Sequence, residues 1–318
     1  MNTKKIRNSF LLVITAFIWG VAFVAQSAGG DAVGPYMFNC IRSIIGGMVL
    51  IPVIVLLDRL HLTSRKPQTK QEKKTLLIGG IFCGVALCLA SNVQQLGIYM
   101  GASAGKAGFL TACYILLVPV LGLFLKKRCG WNIWIGVILT LCGLYLLCME
   151  GSFSLRLCDG LLLICALCFA VHILVIDHFS PMVDGVRMSC IQFFVCGLLS
   201  GIPALLFDLP HSVKELSDWA LVFCSLDAWI PILYAGIMSC GVAYTLQIVG
   251  QNGLNPAIAS LLMSLESVFA VIAGWLILKE SMGARELAGC GLIFVAIILA
   301  QVPFQNLMSR KHSTDKGL

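Results

Sequence analysis

Apolar stretches follow one another along this chain almost without pause. Each is close to the ~20 residues that a helix needs to cross a ~30 Å hydrocarbon core. Hydrophobic residues make up 59% of the 318 and charged residues only 12%, with a mean hydropathy of +0.94. Soluble domains run nearer half apolar and a quarter charged, so the composition is that of an all-α integral membrane protein. The runs are continuous, whereas barrel strands alternate over about 10 residues, which favours helices over a membrane β-barrel. Ten spans are predicted: 8–28, 34–57, 75–97, 104–125, 131–149, 160–177, 187–207, 229–250, 256–278 and 284–303. The connections are short except for a basic loop at 58–74 and a mixed segment at 208–228, which reads as a short interfacial helix. No soluble domain fits between them.

The net charge of +7 is unevenly placed. Lys4, Lys5 and Arg7, the 58–74 loop, Lys126-Lys127-Arg128 and the tail Arg310-Lys311 would all lie on one face if both termini, 1–7 and 304–318, are cytoplasmic. This is a multi-pass arrangement in the cell membrane, and it argues against a nucleic-acid partner. The second half is less decisive, because Lys279 and Arg285 fall outside; a nine-span topology is the alternative. The first span, preceded by basic residues and followed by Ala25-Gln26-Ser27, resembles a signal peptide. It is read as a retained span because it aligns with an interior segment. Most of the fifteen cysteines sit inside apolar runs, where thiols pack as small side chains rather than forming a secreted disulfide framework. Cys165-x-x-Cys168 has redox or zinc spacing but no second ligand pair, so no metal and no cofactor are expected.

The chain also repeats itself. Residues 164–197 echo 14–47 at an offset of 150, with Ile14/Ile164, Ala16/Ala166, Val21/Val171, Cys40/Cys190, Ile41/Ile191 and Gly47/Gly197 identical and Trp19 opposite Phe169. At 157, Cys83-Gly84-Val85-Ala86 recurs as Cys240-Gly241-Val242-Ala243; at 153, Lys126/Lys279, Gly130/Gly283 and Gly136/Gly289 match. Three stretches in one order give two five-helix repeats, 8–149 and 160–303. Five is odd, so the halves insert with opposite orientation, as in secondary transporters whose site lies between inverted repeats. Gly80-x3-Gly84, Gly101-x3-Gly105 and Ala104-x3-Gly108 are candidate close helix crossings.

Several segments resemble the EamA-type transporters of the drug/metabolite transporter superfamily. They are Phe17 to Phe23 in the first span, Phe38 to Arg42 in the second, Ser103 to Phe109 with Tyr114 to Pro119 in the fourth, and Asn255 to Ser267 with Lys279-Glu280 in the ninth. The resemblance covers about residues 10–302. It implies two five-helix halves moving metabolites, amino acids or drugs across the cytoplasmic membrane, usually outward. Two departures stand out: Lys126-Lys127 replaces the acidic residue that commonly ends the fourth helix, and Ser267 replaces a proline that often follows the ninth-helix Glu.

Polar groups inside spans are costly and default to the bundle interior. Glu266 falls near the middle of 256–278, where a charged carboxylate is expensive, which suits it to take up and release a proton; the alternative is a structural, hydrogen-bonded Glu. Arg42 has three readings: a partner for Glu266, an attractor of an anionic substrate group, or an outward-snorkelling side chain. Trp19, near mid-span, is read as a cavity wall or a stacking surface against the alternative of lipid packing, and Tyr114 needs a hydroxyl partner. Asn92, Gln95 and Gln247 point inward as substrate ligands or as interhelical glue. His172 is a proton relay or a buried structural residue, and Lys106 a snorkelling anchor at the outer mouth. Glu266 falls opposite Cys113 and Arg42 opposite Gln192, so the repeat is charged on one side only.

These features predict a non-enzymatic secondary transporter that exports a small metabolite, amino acid-like or otherwise amphipathic, by alternating access. Its partners are that solute, the bilayer and protons as candidate coupling ion, and it works as a monomer or homodimer. A membrane-embedded enzyme acting on lipid is the rival, but it needs clustered catalytic groups, and the five histidines are scattered. ATP-driven transport lacks a G-x4-G-K-[ST] loop.

Overall fold

In lipid every backbone N–H and C=O must find a partner inside the protein, so an apolar chain of this length resolves into helices. The computed structural model describes residues 3–63, 65–102, 104–127, 129–148, 156–210, 213–273, 276 and 283–301. The tail 304–318, Arg128, Lys279, Glu280 and the side chain of Lys106 lie outside them. Among the described residues every regular element is helical.

The first three passes are α1 (Thr3–Val33), α2 (Pro35–Arg59) and α3 (Lys70–Tyr99). The fourth is split into α4 (Ala104–Ala112) and α5 (Tyr114–Phe124), and α6 (Trp131–Cys148) completes the first half. The second half comprises α7 (Leu157–Phe179), α8 (Gly185–Pro203) widening into π-type turns over Ala204–Asp208, and the short α9 (Val213–Val222). Then come α10 (Leu226–Leu233), π-type turns over Tyr234–Tyr244 and α11 (Thr245–Gln251), followed by α12 (Pro256–Met263), α13 (Leu265–Ala273) and α14 (Ala284–Gln301). Eight of these passes are long and apolar enough to cross a membrane; Trp131–Leu146 and Leu287–Ala300 are shorter apolar helices that make up ten.

Local chemistry sets the ends. Thr69 and Glu72 close a reciprocal capping box at the start of α3, Asp184 caps α8 through the Arg187 N–H, and Asn255 with Pro256 opens α12. The helix expected in 208–228 is α9. Lys127, at the position where an acid was expected, pairs with Asp177.

The repeat predicted from sequence is mirrored in how the halves touch. A Cβ on Gly47 would meet the Phe194 ring at 3.1 Å, and one on Gly197 would meet Ile44 at 2.7 Å. Since 194 and 197 are 44 and 47 plus 150, α2 and α8 cross reciprocally. The same holds between α6 and α14: a Cβ on Gly143 would lie 2.8 Å from the Gly289 carbonyl oxygen, and one on Gly136 3.1 Å from that of Ala296. Here 289 and 296 are 136 and 143 plus 153. Such paired crossings are what an in-plane two-fold relation produces.

Of the three small-x3-small patterns, Gly80-x3-Gly84 is a close crossing, with Cβ positions 2.5 Å from Ile191 and 2.6 Å from Val195. The other two show none at their described glycines. Among the described residues nothing lies within 4 Å of a Cβ on Gly101, whose φ of +89° serves the turn after α3, and Gly108 makes only ordinary contact with Ser267 at 3.6 Å; the side-chain surroundings of Ala104 and Gly105 lie outside the described residues. Filling a true crossing overpacks it. Gly143→Val is expected to cost about 1–3 kcal/mol and lower the melting temperature in detergent. Gly160→Ala, where nothing lies within 4 Å, is expected to be neutral or slightly stabilising. Equal melting temperatures for the two variants would contradict the packing described.

Candidate functional site

Both halves of the chain bend around one cavity of about 480 Å³ of atom-free space, part of it open to solvent. The fourth and ninth passes break beside it, at Cys113 between α4 and α5 and at Ser264 between α12 and α13. Each break puts its most polar residue in the first turn that follows: Tyr114 opens α5, and Glu266 is the second residue of α13. The Tyr114 hydroxyl donates to Glu266 Oε1 at 3.2 Å, joining the halves inside the cavity wall.

Glu266 is held there by close backbone approach. A Cβ on Gly20 would lie 2.7 Å from the Glu266 carbonyl and 2.8 Å from the Ala270 nitrogen, so α1 and α13 can meet at this height only with glycine at position 20. The adjacent Trp19 turns into the cavity, where its ring packs against Tyr244 with centroids 4.6 Å apart. Phe169, the repeat counterpart of Trp19, lines the same space.

Arg42 also lines it, only 4% exposed. Its guanidinium lies 5.3 Å from the centroid of the Phe38 ring, and Nε has no hydrogen-bond partner. The expected ion pair with Glu266 is not formed; among the described residues neither charge has an opposite charge in contact. A guanidinium and a carboxyl group, both buried and without an ion-pair partner among the described residues, therefore share one cavity. Gln247 contributes a side-chain oxygen with no partner, and the indole N–H of Trp19 is likewise unused. The cavity thus offers spare donors beside Arg42 and Trp19 and spare acceptors at Glu266 and Gln247.

Five of the eight residues singled out from sequence, Trp19, Arg42, Tyr114, Gln247 and Glu266, line this space. The other three do not. Asn92 donates to Ser200 Oγ at 2.8 Å and accepts from Asn39 Nδ2 at 3.0 Å, joining α2, α3 and α8. Gln95 donates to the Gln26 carbonyl at 2.7 Å, tying α3 to α1. His172, fully buried, bonds Gln192 Oε1 through Nε2 at 3.1 Å and sits behind Tyr244, edge to face at 6.1 Å. These three are placed as interhelical connections.

Sequence reasoning missed Gln26, Gln94, Thr111, Ser239 and Tyr244, which also line the cavity. The Gln94 amide donates to Thr111 at 3.3 Å. Ser239 and Tyr244 lie in the wide turns of Tyr234–Tyr244, where a 3.6-residue period no longer tells which face a side chain takes.

The model of the EamA-like transporter family matches residues 7–149 and again 156–301. An uncharacterized transporter of Archaeoglobus fulgidus is 26% identical over 302 residues, covering 95% of this chain and 88% of that protein. The uncharacterized transporter YoaV of Bacillus subtilis is 23% identical, covering 92% and 96%. A WAT1-related, chloroplastic protein of Arabidopsis thaliana is 26% identical over 93% of this chain and 70% of its own length. One crystal structure superposes with a TM-score of 0.73 at 18% identity, covering 96% of this chain and 98% of that one, a likeness of fold alone.

The Tyr114–Glu266 bond has a measurable share in stability. Tyr114→Phe leaves the carboxylate without its hydroxyl donor and is expected to cost about 1–3 kcal/mol. In a double-mutant cycle with Glu266→Leu, which removes the acceptor, the two losses are expected to fall short of adding. Strict additivity in thermal unfolding would mean that the contact contributes nothing.

Proposed function

The chain belongs to the EamA-like transporter family, and on that premise we propose that this membrane transporter carries a small amphipathic solute, amino acid-like in its chemistry, outward across the cytoplasmic membrane by alternating access. The observation that carries this reading is the pair of buried ionisable groups, Arg42 and Glu266, in one cavity lined from both repeats, neither in contact with an opposite charge among the described residues. An unpaired buried charge is costly, and it persists in a site whose ligand completes it. A carboxylate on the solute would meet the free donors of Arg42 and Trp19. An amine would meet Glu266 and the Gln247 oxygen. Trp19, Phe23, Phe169 and Tyr244 would cover the apolar part.

The two five-helix repeats supply the motion. Exchanging the conformations of inverted halves converts an inward-open form into an outward-open one around a fixed site. Glu266 is the proposed coupling group: it stands at the break between α12 and α13, in contact with Tyr114 from the other half, where gain or loss of a proton alters a bond between the halves. Both termini would then be cytoplasmic.

The test is flux in proteoliposomes across a panel of metabolites, with and without an imposed proton gradient. For a transported solute, Glu266→Gln is expected to abolish acceleration by the gradient while exchange down a solute gradient continues. Normal gradient-driven flux through Glu266→Gln would remove the coupling role, and absence of flux for every solute would undercut the transport reading. Arg42→Gln, which installs the residue found at the equivalent place in the second half, is expected to raise KM at least tenfold for carboxylate-bearing solutes, about 1.4 kcal/mol of lost binding.

A further inference from the structure

The antiparallel helices α2 and α8, one from each repeat, pack against each other along their length, and three of the contacts in that run are related by the repeat. Their middle contact is the reciprocal crossing at Gly47 and Gly197, and Gly47 is the midpoint of Pro35–Arg59. The other two contacts lie at the ends, and both are made by the same repeat position. Asp58, near the end of α2, takes Arg187 at the start of α8 on both carboxylate oxygens at 2.7 Å, and also holds Thr63 and Lys66. Asp208 is Asp58 plus 150. It closes the far end of α8 and accepts from the backbone N–H of Met37, in the first turn of α2, at 2.6 Å and from that of Tyr36. Met37 is in turn Arg187 minus 150.

The local chemistry of the two ends differs for a reason visible in the backbone. The start of α8 carries its own cap, Asp184, which accepts from the Arg187 N–H at 2.9 Å, so Asp58 is left to bind a side chain. The equivalent position at the start of α2 is Gly34, with φ of +96° and no side chain to cap with. A Cβ there would lie 2.6 Å from the Asp208 carboxyl carbon, so the glycine clears the space through which the other repeat supplies the missing cap. One end is therefore an ion pair on a side chain, and the other a carboxylate on open helix N–H groups, both charge-assisted.

We propose that α2 and α8 form a rocker that pivots at the Gly47–Gly197 crossing, with Asp58 and Asp208 as the latches at its two ends, each face opening when its own latch releases. The inference rests on the alternating-access reading. In this structure both latches are closed. Tilting two helices about a central crossing separates one end and presses the other together, so the two latches oppose each other. A simple cap would act only on its own helix end.

That difference is the test. Hydrogen exchange of the full-length protein in lipid nanodiscs is measured at the start of α2 (residues 36–39) and the start of α8 (187–190). Asp208→Ala is expected to speed exchange at 36–39 about tenfold, the size of one lost charge-assisted hydrogen bond, and to slow it at 187–190. Asp58→Ala is expected to do the reverse. Should either alanine variant fail to fold, Asp208→Asn and Arg187→Gln weaken the same latches with little change of shape and carry the same expectation. A local rise with the far end unchanged, or both ends loosening together, overturns the rocker. Flux of the same metabolite panel, run in parallel, separates this inference from its premise. Reciprocal exchange without flux of any solute supports the rocker and removes the transport reading, whereas local exchange with normal flux removes the rocker alone.

Discussion

The contact at Gly20 is the one on which the site depends. A Cβ at position 20 would lie 2.7 Å from the Glu266 carbonyl oxygen, so only a glycine lets α1 approach α13 this closely. That approach fixes the height and rotation of α13 after its break at Ser264. It brings Glu266 within reach of Tyr114 from the other half and turns the neighbouring Trp19 inward against Tyr244. A side chain at position 20 would push the two helices apart and widen every distance in the cavity at once. Membrane helices gain little from hydrophobic association with one another, so such close packing between small residues is what holds the bundle in register.

The two-fold relation is built by the same means, through reciprocal glycine contacts between the second helices and between the fifth. Within that symmetric frame the polar groups are unequal. Arg42 and Gln192 are equivalent positions, yet Gln192 bonds His172, while the equivalent of His172 is Ala22, so Arg42 lacks the partner that its counterpart has, and its Nε is unbonded among the described residues. The vacancy beside Arg42 is thus a difference between the halves, and it coincides with the cavity. What the halves share is packing, and what they do not share is charge.

Much of this was legible in the chain. Span number and order followed from apolar run length, because backbone satisfaction in lipid leaves few alternatives. Glu266, Arg42, Trp19, Tyr114 and Gln247 could be picked out because polar and aromatic groups at mid-span stand out against an apolar background. The same signal could not separate cavity from interface: Asn92, Gln95 and His172 are as polar and as deep, but they face a neighbouring helix. Nor could sequence locate Tyr244, since wide turns shift the face of every residue after Tyr234. The breaks at Cys113 and Ser264 carry no proline or glycine at the break itself, so nothing in residue type marks them. Small-x3-small spacing was ambiguous for a similar reason, as Gly101 serves a turn and Gly80 a crossing.

Gly34 has a consequence of another kind. Were the halves identical, the inward- and outward-facing forms would be mirror arrangements of equal free energy, each populated half the time. With a glycine at one helix start and Asp184 at the other, the two forms of the proposed cycle would break different bonds and differ in energy. A difference of ~1.4 kcal/mol already places about nine molecules in ten in one resting form. Such a bias would govern how fast each half of the cycle runs and how tightly a solute binds from each side. It cannot drive net movement, since around a closed cycle the bias cancels. Residues far from the cargo would therefore set the resting posture of the protein, while direction stays with the gradients across the membrane.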